Sequence, residues 1–278
     1  MRKILNIAKW IAAFGNSPQT FLGAKWVSRS LAHTSDSKKR NRALRLLSLS
    51  PHYFFDRESH ERKNFSNDEY LEAAFQSGVI SRQLIYDHIL KDNLHTGDIV
   101  LDYGSGPGFL AKIIAGHVTQ VYACDISEGA LACAQVLNSA ANLKYVLADD
   151  EGINGIPDGG INVIVSFAMA QHLSDEVLGH VLDNCMRKLK AGGKLLLHIQ
   201  LLDGIWRSEE EWKSDHSVKG KLKFRYGLHC FGRTEESYLN KVANHGFENI
   251  TIIKVADLIP DNFDDIWSQH LLQARKPE

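Results

Sequence analysis

The fold is decided by the stretch Ile99-Val100-Leu101-Asp102-Tyr103-Gly104-Ser105-Gly106-Pro107-Gly108. Its first three residues are apolar and predict a short buried strand, and the residues from Phe109 onward predict a helix. A glycine-rich turn between a strand and a helix lets the backbone approach a ligand without obstruction by Cβ atoms. The stretch therefore predicts a ligand-binding turn in a parallel α/β sheet.

The spacing of the glycines distinguishes this turn from a dinucleotide-binding turn. The dinucleotide fingerprint G-x-G-x-x-G needs a third glycine at the position where this chain has Phe109. Here the third glycine is Gly108, and Asp102 stands two residues before Gly104. This D-x-G-x-G-x-G pattern resembles the first motif of the class I S-adenosylmethionine-dependent methyltransferases, in their small-molecule branch.

That resemblance implies a cofactor and a way of holding it. S-adenosyl-L-methionine would be bound and S-adenosyl-L-homocysteine would be the product. The loop backbone would pack against the methionine moiety of the cofactor, and Asp102 would order the loop and contact the ammonium group.

Two later strands end in acids that fit the same series. Asp125 follows the strand Gln120–Cys124 and lies 23 residues after Asp102. An acid about 20 residues beyond a glycine loop is placed to accept hydrogen bonds from ribose hydroxyls. Asp149 follows the strand Leu143–Leu147, and the resemblance implies that it lies beside the adenine. The full predicted cofactor-binding set is Asp102, Gly104, Ser105, Gly106, Gly108, Asp125, Ile126, Asp149, Asp150 and Ser166.

The remaining pattern predicts a Rossmann-like α/β fold. The seven-stranded, mostly parallel sheet would carry helices on both faces and would be preceded by an N-terminal helical extension. Further predicted elements are strands at Ile161–Val165, Leu195–Ile199, Ile250–Val255 and His270–Ala274 and helices at Asp175–Leu189 and Phe231–His245. The domains expected are a basic helical extension over residues 1–65 and a methyltransferase domain over 66–278. Within the second, the cofactor half covers about 98–200 and a substrate-lid insert about 202–230.

The N-terminal extension differs in charge from the rest of the chain. Residues 1–50 hold ten basic residues and one acid, Asp36, whereas the remainder holds 22 basic and 32 acidic residues. Apolar residues at helical spacing predict helices here, the third of them beginning after Asp36. The extension fits a packed helical cap, an amphipathic helix on an anionic membrane surface, an organellar transit peptide, or a nucleic-acid contact through Lys38-Lys39-Arg40.

The acceptor side carries the candidate catalytic residue, His172. It follows the fourth strand, and an imidazole can accept a proton at neutral pH. The alternative is that His172 only packs below the cofactor. His198 lies in an apolar strand and is interpreted as a core histidine. The candidate substrate-lining residues are Tyr70, Arg82, Trp206 and His229.

The class of acceptor is narrowed by phrases that the sequence lacks. No D/N-P-P-Y/F phrase follows the fourth strand, and no Pro-Cys pair offers a nucleophile for pyrimidine methylation. We therefore expect O-methylation of a hydroxyl on a small molecule, glycan or lipid-linked metabolite rather than on nucleic acid. The alternatives are C-methylation of a quinone-like ring and a non-catalytic, cofactor-binding partner subunit.

Composition adds limits on the compartment. Hydrophobic residues make up 44% and charged residues 23%, as in globular proteins, which excludes disordered and collagen-like classes. The four cysteines lack the C-x-x-C spacing of a zinc or redox site, and we expect reduced thiols in a reducing compartment. We expect a cytoplasmic protein, with peripheral membrane contact through residues 1–50 and organellar import as alternatives. The oligomeric state is not disclosed.

Overall fold

The computed structural model describes residues 21–48, 67–148, 152–202, 206–225, 230–259 and 269–278. Its centre is a seven-stranded sheet. The strands are β1 (Ile99–Tyr103), β2 (Gln120–Asp125), β3 (Leu143–Leu147), β4 (Ile161–Ser166), β5 (Leu189–Gln200), β6 (Glu248–Lys254) and β7 (Gln269–Arg275). Their order in the sheet is β3-β2-β1-β4-β5-β7-β6, and only β7 runs antiparallel to its neighbours. The predicted Rossmann-like sheet is thus confirmed.

Helices cover both faces of this sheet. One face is buried under α6 (Asp175–Lys188) and α9 (Glu235–Asn244). The other is buried under α4 (Phe109–Ala115), α10 (Val255–Leu258) and the π-helical turn at Tyr86–Leu90 that follows α3 (Asn67–Ile85). Strands buried on both faces are nearly continuous in apolar residues, as β1 and β4 are. The helices are α1 (Phe21–Ala32), α2 (Asp36–Leu47), α3 (Asn67–Ile85), α4 (Phe109–Ala115), α5 (Glu128–Leu137), α6 (Asp175–Lys188), α7 (Glu209–Ser214), α8 (Val218–Arg225), α9 (Glu235–Asn244) and α10 (Val255–Leu258).

Several helix ends follow from side-chain caps. The hydroxyl of Ser127 accepts from the Ala130 amide, as the sequence predicts, and Ser174 accepts from the Val177 amide. The expected start of α9 at Phe231 is wrong, because Thr234 caps the helix. The residues before that cap instead form bridges to Leu201 and Arg207 at the edge of the sheet.

The two described N-terminal helices, α1 and α2, pack onto the body. Their buried residues form one apolar cluster with α3, α4 and α5, which we call the cap cluster: Val27, Leu31, Ala43, Leu44, Leu46, Leu47, Leu71, Phe75, Phe109 and Cys133. Two arginines of α2 also pair with acids of α3, Arg40 with Glu72 and Arg45 with Asp68, each at 2.8 Å. Part of the basic charge of the extension is therefore matched within the fold. Among the described helices, none has the length and apolarity that a membrane crossing requires.

Candidate active site

The glycine loop is fixed to the end of β2. The backbone amides of Gly104 and Ser105 both donate to the Cys124 carbonyl, at 2.8 and 2.9 Å. The Gly106 amide donates to Asp125 Oδ2 at 2.8 Å. Because these contacts hold the loop at the carboxyl edge of the sheet, its backbone lines the place where open α/β sheets bind ligands.

Two glycines of the loop are required by their surroundings. Gly104 has a φ of 77°, and a Cβ there would lie 2.6 Å from Met169 Sδ. Gly108 has a φ of 76°, and a Cβ there would overlap the Tyr145 hydroxyl. Side chains rarely adopt this left-handed backbone, and at both positions a neighbour already fills the space. The loop is therefore closely packed from behind by β3 and by the segment after β4.

Asp125 supports the glycine loop from the end of β2 and is also the predicted partner of the ribose hydroxyls. Its Oδ1 accepts from the Ser127 amide at 2.8 Å, while Oδ2 holds Gly106. A carboxylate oxygen can accept more than one hydrogen bond, so the pairing with ribose hydroxyls stays a prediction that this geometry permits. Beside it, the side chains of Ile126 and Leu147 are 57% and 46% exposed, which leaves two apolar surfaces at the ends of β2 and β3.

Asp102 is buried below the loop, where its charge is costly. Burial raises its pKa to about 7, and the nearby Arg82 guanidinium and the Ala111 amide act in the opposite direction. Its Oδ2 and the hydroxyl of Ser105 are buried and have no hydrogen-bond partner among the described residues. Arg82, predicted to line the acceptor, thus places its charge beside the glycine loop. The carboxylate oxygen of Asp102 and the hydroxyl of Ser105 are thus polar atoms that a bound ligand could satisfy.

His172 lies in the 3-10 turn Ala170–His172 after β4, half-buried. Its Nδ1 is 3.7 Å from the Cys230 sulfur, and its backbone amide donates to the Met169 carbonyl at 2.8 Å. The neighbouring Gln171 carbonyl accepts from the Phe231 amide. The turn is therefore covered by the residues that follow the insert.

Long-range contacts tie the insert together and join it to the start of α6. Trp212 Nε1 donates to the Cys230 carbonyl at 2.8 Å, and Glu209 accepts from the Asp175 amide at 2.6 Å. The buried Arg233, which sequence reasoning missed, donates to Asp175 and to the Leu173 carbonyl. A lone arginine before a helix carries no motif, so no signal in the sequence marked it.

The other predicted site residues lie in different parts of the structure. Ser166 donates its hydroxyl proton to the Tyr103 carbonyl at 2.8 Å and so ties β4 to β1. Trp206 is half-buried, close to Gly232. Tyr70 packs against the cap cluster. Asp149, Asp150 and His229 lie outside the described residues.

Comparison with known sequences assigns the central segment. Residues 101–197 match a family model described as a methyltransferase domain. This central segment is therefore similar to methyltransferase domains. The class I methyltransferase resemblance drawn from the glycine loop is thereby confirmed for this segment, and the cofactor of that family is S-adenosylmethionine.

A curated relative overlaps the same region. The chain is 33% identical over 99 residues to the ubiquinone biosynthesis O-methyltransferase of Thiobacillus denitrificans. The match covers 35% of this chain and 42% of that relative's length. The chain thus spans less than half the length of the curated relative that it matches.

Solved structures confirm the fold. The phosphoethanolamine N-methyltransferase 2 of Haemonchus contortus, in complex with S-adenosyl-L-methionine, is 18% identical, with a TM-score of 0.51 over 73% of this chain and 57% of its own. The cyclase SpnF is 16% identical, with a TM-score of 0.52 over 73% of this chain and 82% of its own. One architecture thus carries proteins named for different chemistry, so function must come from the site.

Proposed function

We propose that the protein is an S-adenosylmethionine-dependent methyltransferase acting on a small molecule. The observation that carries the proposal is the glycine loop held by Asp125 at the carboxyl edge of the sheet, inside the segment that matches the methyltransferase family. Because the curated relative is named as an O-methyltransferase, we further propose that the methyl group is transferred to a hydroxyl oxygen.

The residues present fit the cofactor. The loop offers backbone without Cβ atoms, and Asp102 and Ser105 hold buried polar atoms without partners for the charged methionine end. Asp125 is placed for the ribose, and the exposed Ile126 and Leu147 offer apolar faces to the adenine. The bound cofactor supplies a methyl group on a sulfonium, which is already a good leaving group. The chain therefore has to orient the acceptor and exclude water.

In the proposed mechanism His172 accepts the proton of the acceptor hydroxyl. Its Nδ1 lies 3.7 Å from the Cys230 sulfur, and the imidazole stands at the end of β4, where open α/β sheets bind their ligands. Trp206 and the residues from Cys230 to Arg233 form the roof over this turn. We infer that the acceptor enters between that roof and the glycine loop, and that it is a hydroxylated small molecule, glycan or lipid-linked metabolite. C-methylation of an activated ring would need positioning but no base.

Calorimetric titration with S-adenosyl-L-homocysteine tests the cofactor. We expect micromolar binding by the wild type and a loss of about hundredfold in Asp125→Ala, because two backbone amides and the ribose lose their acceptor. Asp98→Ala is the matched control. Asp98 is 8% exposed like Asp125 and also accepts a backbone amide, but it lies before β1, at the opposite edge of the sheet. No binding by a folded wild type would refute the proposal.

A screen of acceptors with methyl-labelled cofactor tests the reaction. Transfer to phenols or sugar hydroxyls, lost on His172→Ala with unchanged S-adenosyl-L-homocysteine affinity, is the expected result. Transfer that survives this variant removes His172 as the base and favours ring carbons as acceptors. Binding without transfer to any acceptor leaves the non-catalytic subunit as the better description.

A further inference from the structure

The further inference concerns His198, a buried histidine of β5 that the proposed mechanism does not use. We propose that His198 is a positioning residue, which holds the segment Ser166–Met169 after β4 in the conformation that supports the glycine loop and His172. The inference rests on the proposed function, because the groups that it positions are those of the proposed cofactor and acceptor sites.

Both ring nitrogens of His198 have defined partners. The Ala168 amide donates to Nδ1 at 3.3 Å, and Nε2 lies 3.2 Å from Gln269 Oε1. A neutral imidazole carries one proton, so an accepting Nδ1 requires the proton on Nε2, which donates to Gln269. The ring also stacks on Phe167, with centroids 5.9 Å apart at 21°. The histidine is thereby fixed between β7 and the segment after β4.

The residue that His198 holds has a strained backbone. Ala168 has a φ of 59°, a left-handed conformation that side chains rarely adopt. Such conformations persist when the surroundings impose them. Ala168 itself is exposed, so packing of its methyl group does not impose this one, whereas the hydrogen bond from its amide to His198 does.

The turn at Ala168 connects His198 to both proposed ligand sites. The next residue, Met169, lies so close to the glycine loop that a Cβ on Gly104 would meet its Sδ, Cγ and Cβ atoms. The Met169 carbonyl also accepts from the His172 amide at 2.8 Å. A change at Ala168 would therefore move the support of the glycine loop and the start of the turn that carries His172.

The electrostatic surroundings keep His198 in the required form. Burial lowers its pKa to about 4, and the charges of Arg82 and His270 act in the same direction, against the hydrogen bond that Nε2 donates to Gln269. The imidazole is therefore neutral at physiological pH, and Nδ1 stays available as an acceptor. A protonated ring would turn Nδ1 into a donor that faces the Ala168 amide.

Two substitutions separate the acceptor function from mere packing. His198→Leu fills the space but offers no acceptor, whereas Asn in His198→Asn places an oxygen near the position of Nδ1. We expect His198→Leu to weaken S-adenosyl-L-homocysteine binding about tenfold and His198→Asn to stay within about threefold of the wild type. Where an acceptor is known, kcat should fall more than KM rises, because His172 is displaced together with Met169.

A third substitution tests the strained backbone directly. Glycine adopts a positive φ without strain, so Ala168→Gly combined with His198→Leu should recover most of the lost affinity. Amide hydrogen exchange should show faster exchange at Ala168 and Met169 in His198→Leu, with β5 and β7 unchanged. Leu44→Ala is the control for general destabilisation, since this buried residue belongs to the cap cluster, which contains no residue of Ser166–Met169, β5 or β7.

The outcomes distinguish the two proposals. If the wild type does not bind S-adenosyl-L-homocysteine, the proposed function fails. If it binds but His198→Leu binds equally well, the positioning role of His198 is refuted. The role is also refuted if His198→Asn fails as badly as His198→Leu, or if exchange rises throughout β5 and β7.

Discussion

The two proposed ligand sites, the glycine loop for the cofactor and the region around His172 for the acceptor, are held in place in different ways. The glycine loop depends on backbone amides and on Asp125, which lies 19 residues from Gly106. The acceptor side depends on side chains far apart in sequence, such as Arg233, which bonds Asp175 and Leu173 across 58 and 60 residues. Short-range backbone geometry leaves a pattern in the sequence, whereas long-range side-chain contacts do not. The sequence therefore predicts individual residues on the cofactor side and only a region on the acceptor side.

The largest expected effect tests whether the close packing behind the loop matters. Gly104→Ala should weaken S-adenosyl-L-homocysteine binding about hundredfold, because the new Cβ meets Met169 and must displace the loop. Rotation of the Met169 side chain cannot relieve the clash, since its own Cβ would be 2.9 Å away. Calorimetric titration measures the loss.

Gly159→Ala is the matched control for Gly104→Ala. Gly159 also has a positive φ, 62°, but a Cβ there would meet nothing within 4 Å. Backbone strain alone should cost roughly 1–2 kcal/mol of stability and leave binding unchanged. Equal binding by both variants would show that contact with Met169 is not what shapes the loop.

The second effect tests the acceptor side. Arg233→Met should lower the unfolding free energy by about 2 kcal/mol, because a buried cation with three partners is lost, and should lower Tm by roughly 4–8 °C. Its affinity for S-adenosyl-L-homocysteine should stay within about threefold, since the loop is held separately. Arg187→Met, which removes a 43%-exposed arginine, should leave Tm nearly unchanged. A large loss of cofactor affinity in Arg233→Met would show that the two sides are coupled.

The third effect concerns the pH dependence of cofactor binding. The pKa of Asp102 is raised to about 7 by burial, so the carboxyl is about half protonated at pH 7. The ammonium group of the ligand favours the charged carboxylate and lowers that pKa, so binding should release up to about half a proton at pH 7. Affinity should then rise with pH between 6 and 7.5. Titrations in buffers of different ionisation enthalpy measure this release.

Asp102→Asn removes the group to which that proton release is assigned. The variant keeps an oxygen to accept from the Ala111 amide, so the loop should remain ordered. Proton release and the rise of affinity with pH should both disappear. Persistence of either in the variant would assign them to another group.

The smallest effect concerns the cap. A double-mutant cycle on Arg45→Ala and Asp68→Ala should give a coupling below about 1 kcal/mol, because both side chains are about half exposed. By contrast, Leu44→Ala should cost about 2–5 kcal/mol, since this residue is 1% exposed in the cap cluster. Chemical denaturation measures both. A negligible cost for Leu44→Ala would mean that the cap folds independently of the body.

The fold was predictable to a large extent. The helix α6 and the strands other than β5 were predicted within two residues, whereas β5 begins at Leu189, six residues before its predicted start. The start of α9 was wrong by four residues, because a single capping threonine outweighs the apolar residues before it. Propensity alone does not decide between a cap and an extended bridge.

The sequence by itself indicated the glycine loop, the succession of strands and helices along the chain and the resemblance of the central segment to methyltransferases, because glycines, acids at strand ends and apolar runs leave local patterns. The tertiary structure alone decided that Arg82 lies beside Asp102, that Arg233 binds Asp175 and the Leu173 carbonyl, and that the Ala168 amide meets His198. These relations depend on which strands are neighbours in the sheet. Residues distant in the chain meet there only after the sheet has formed.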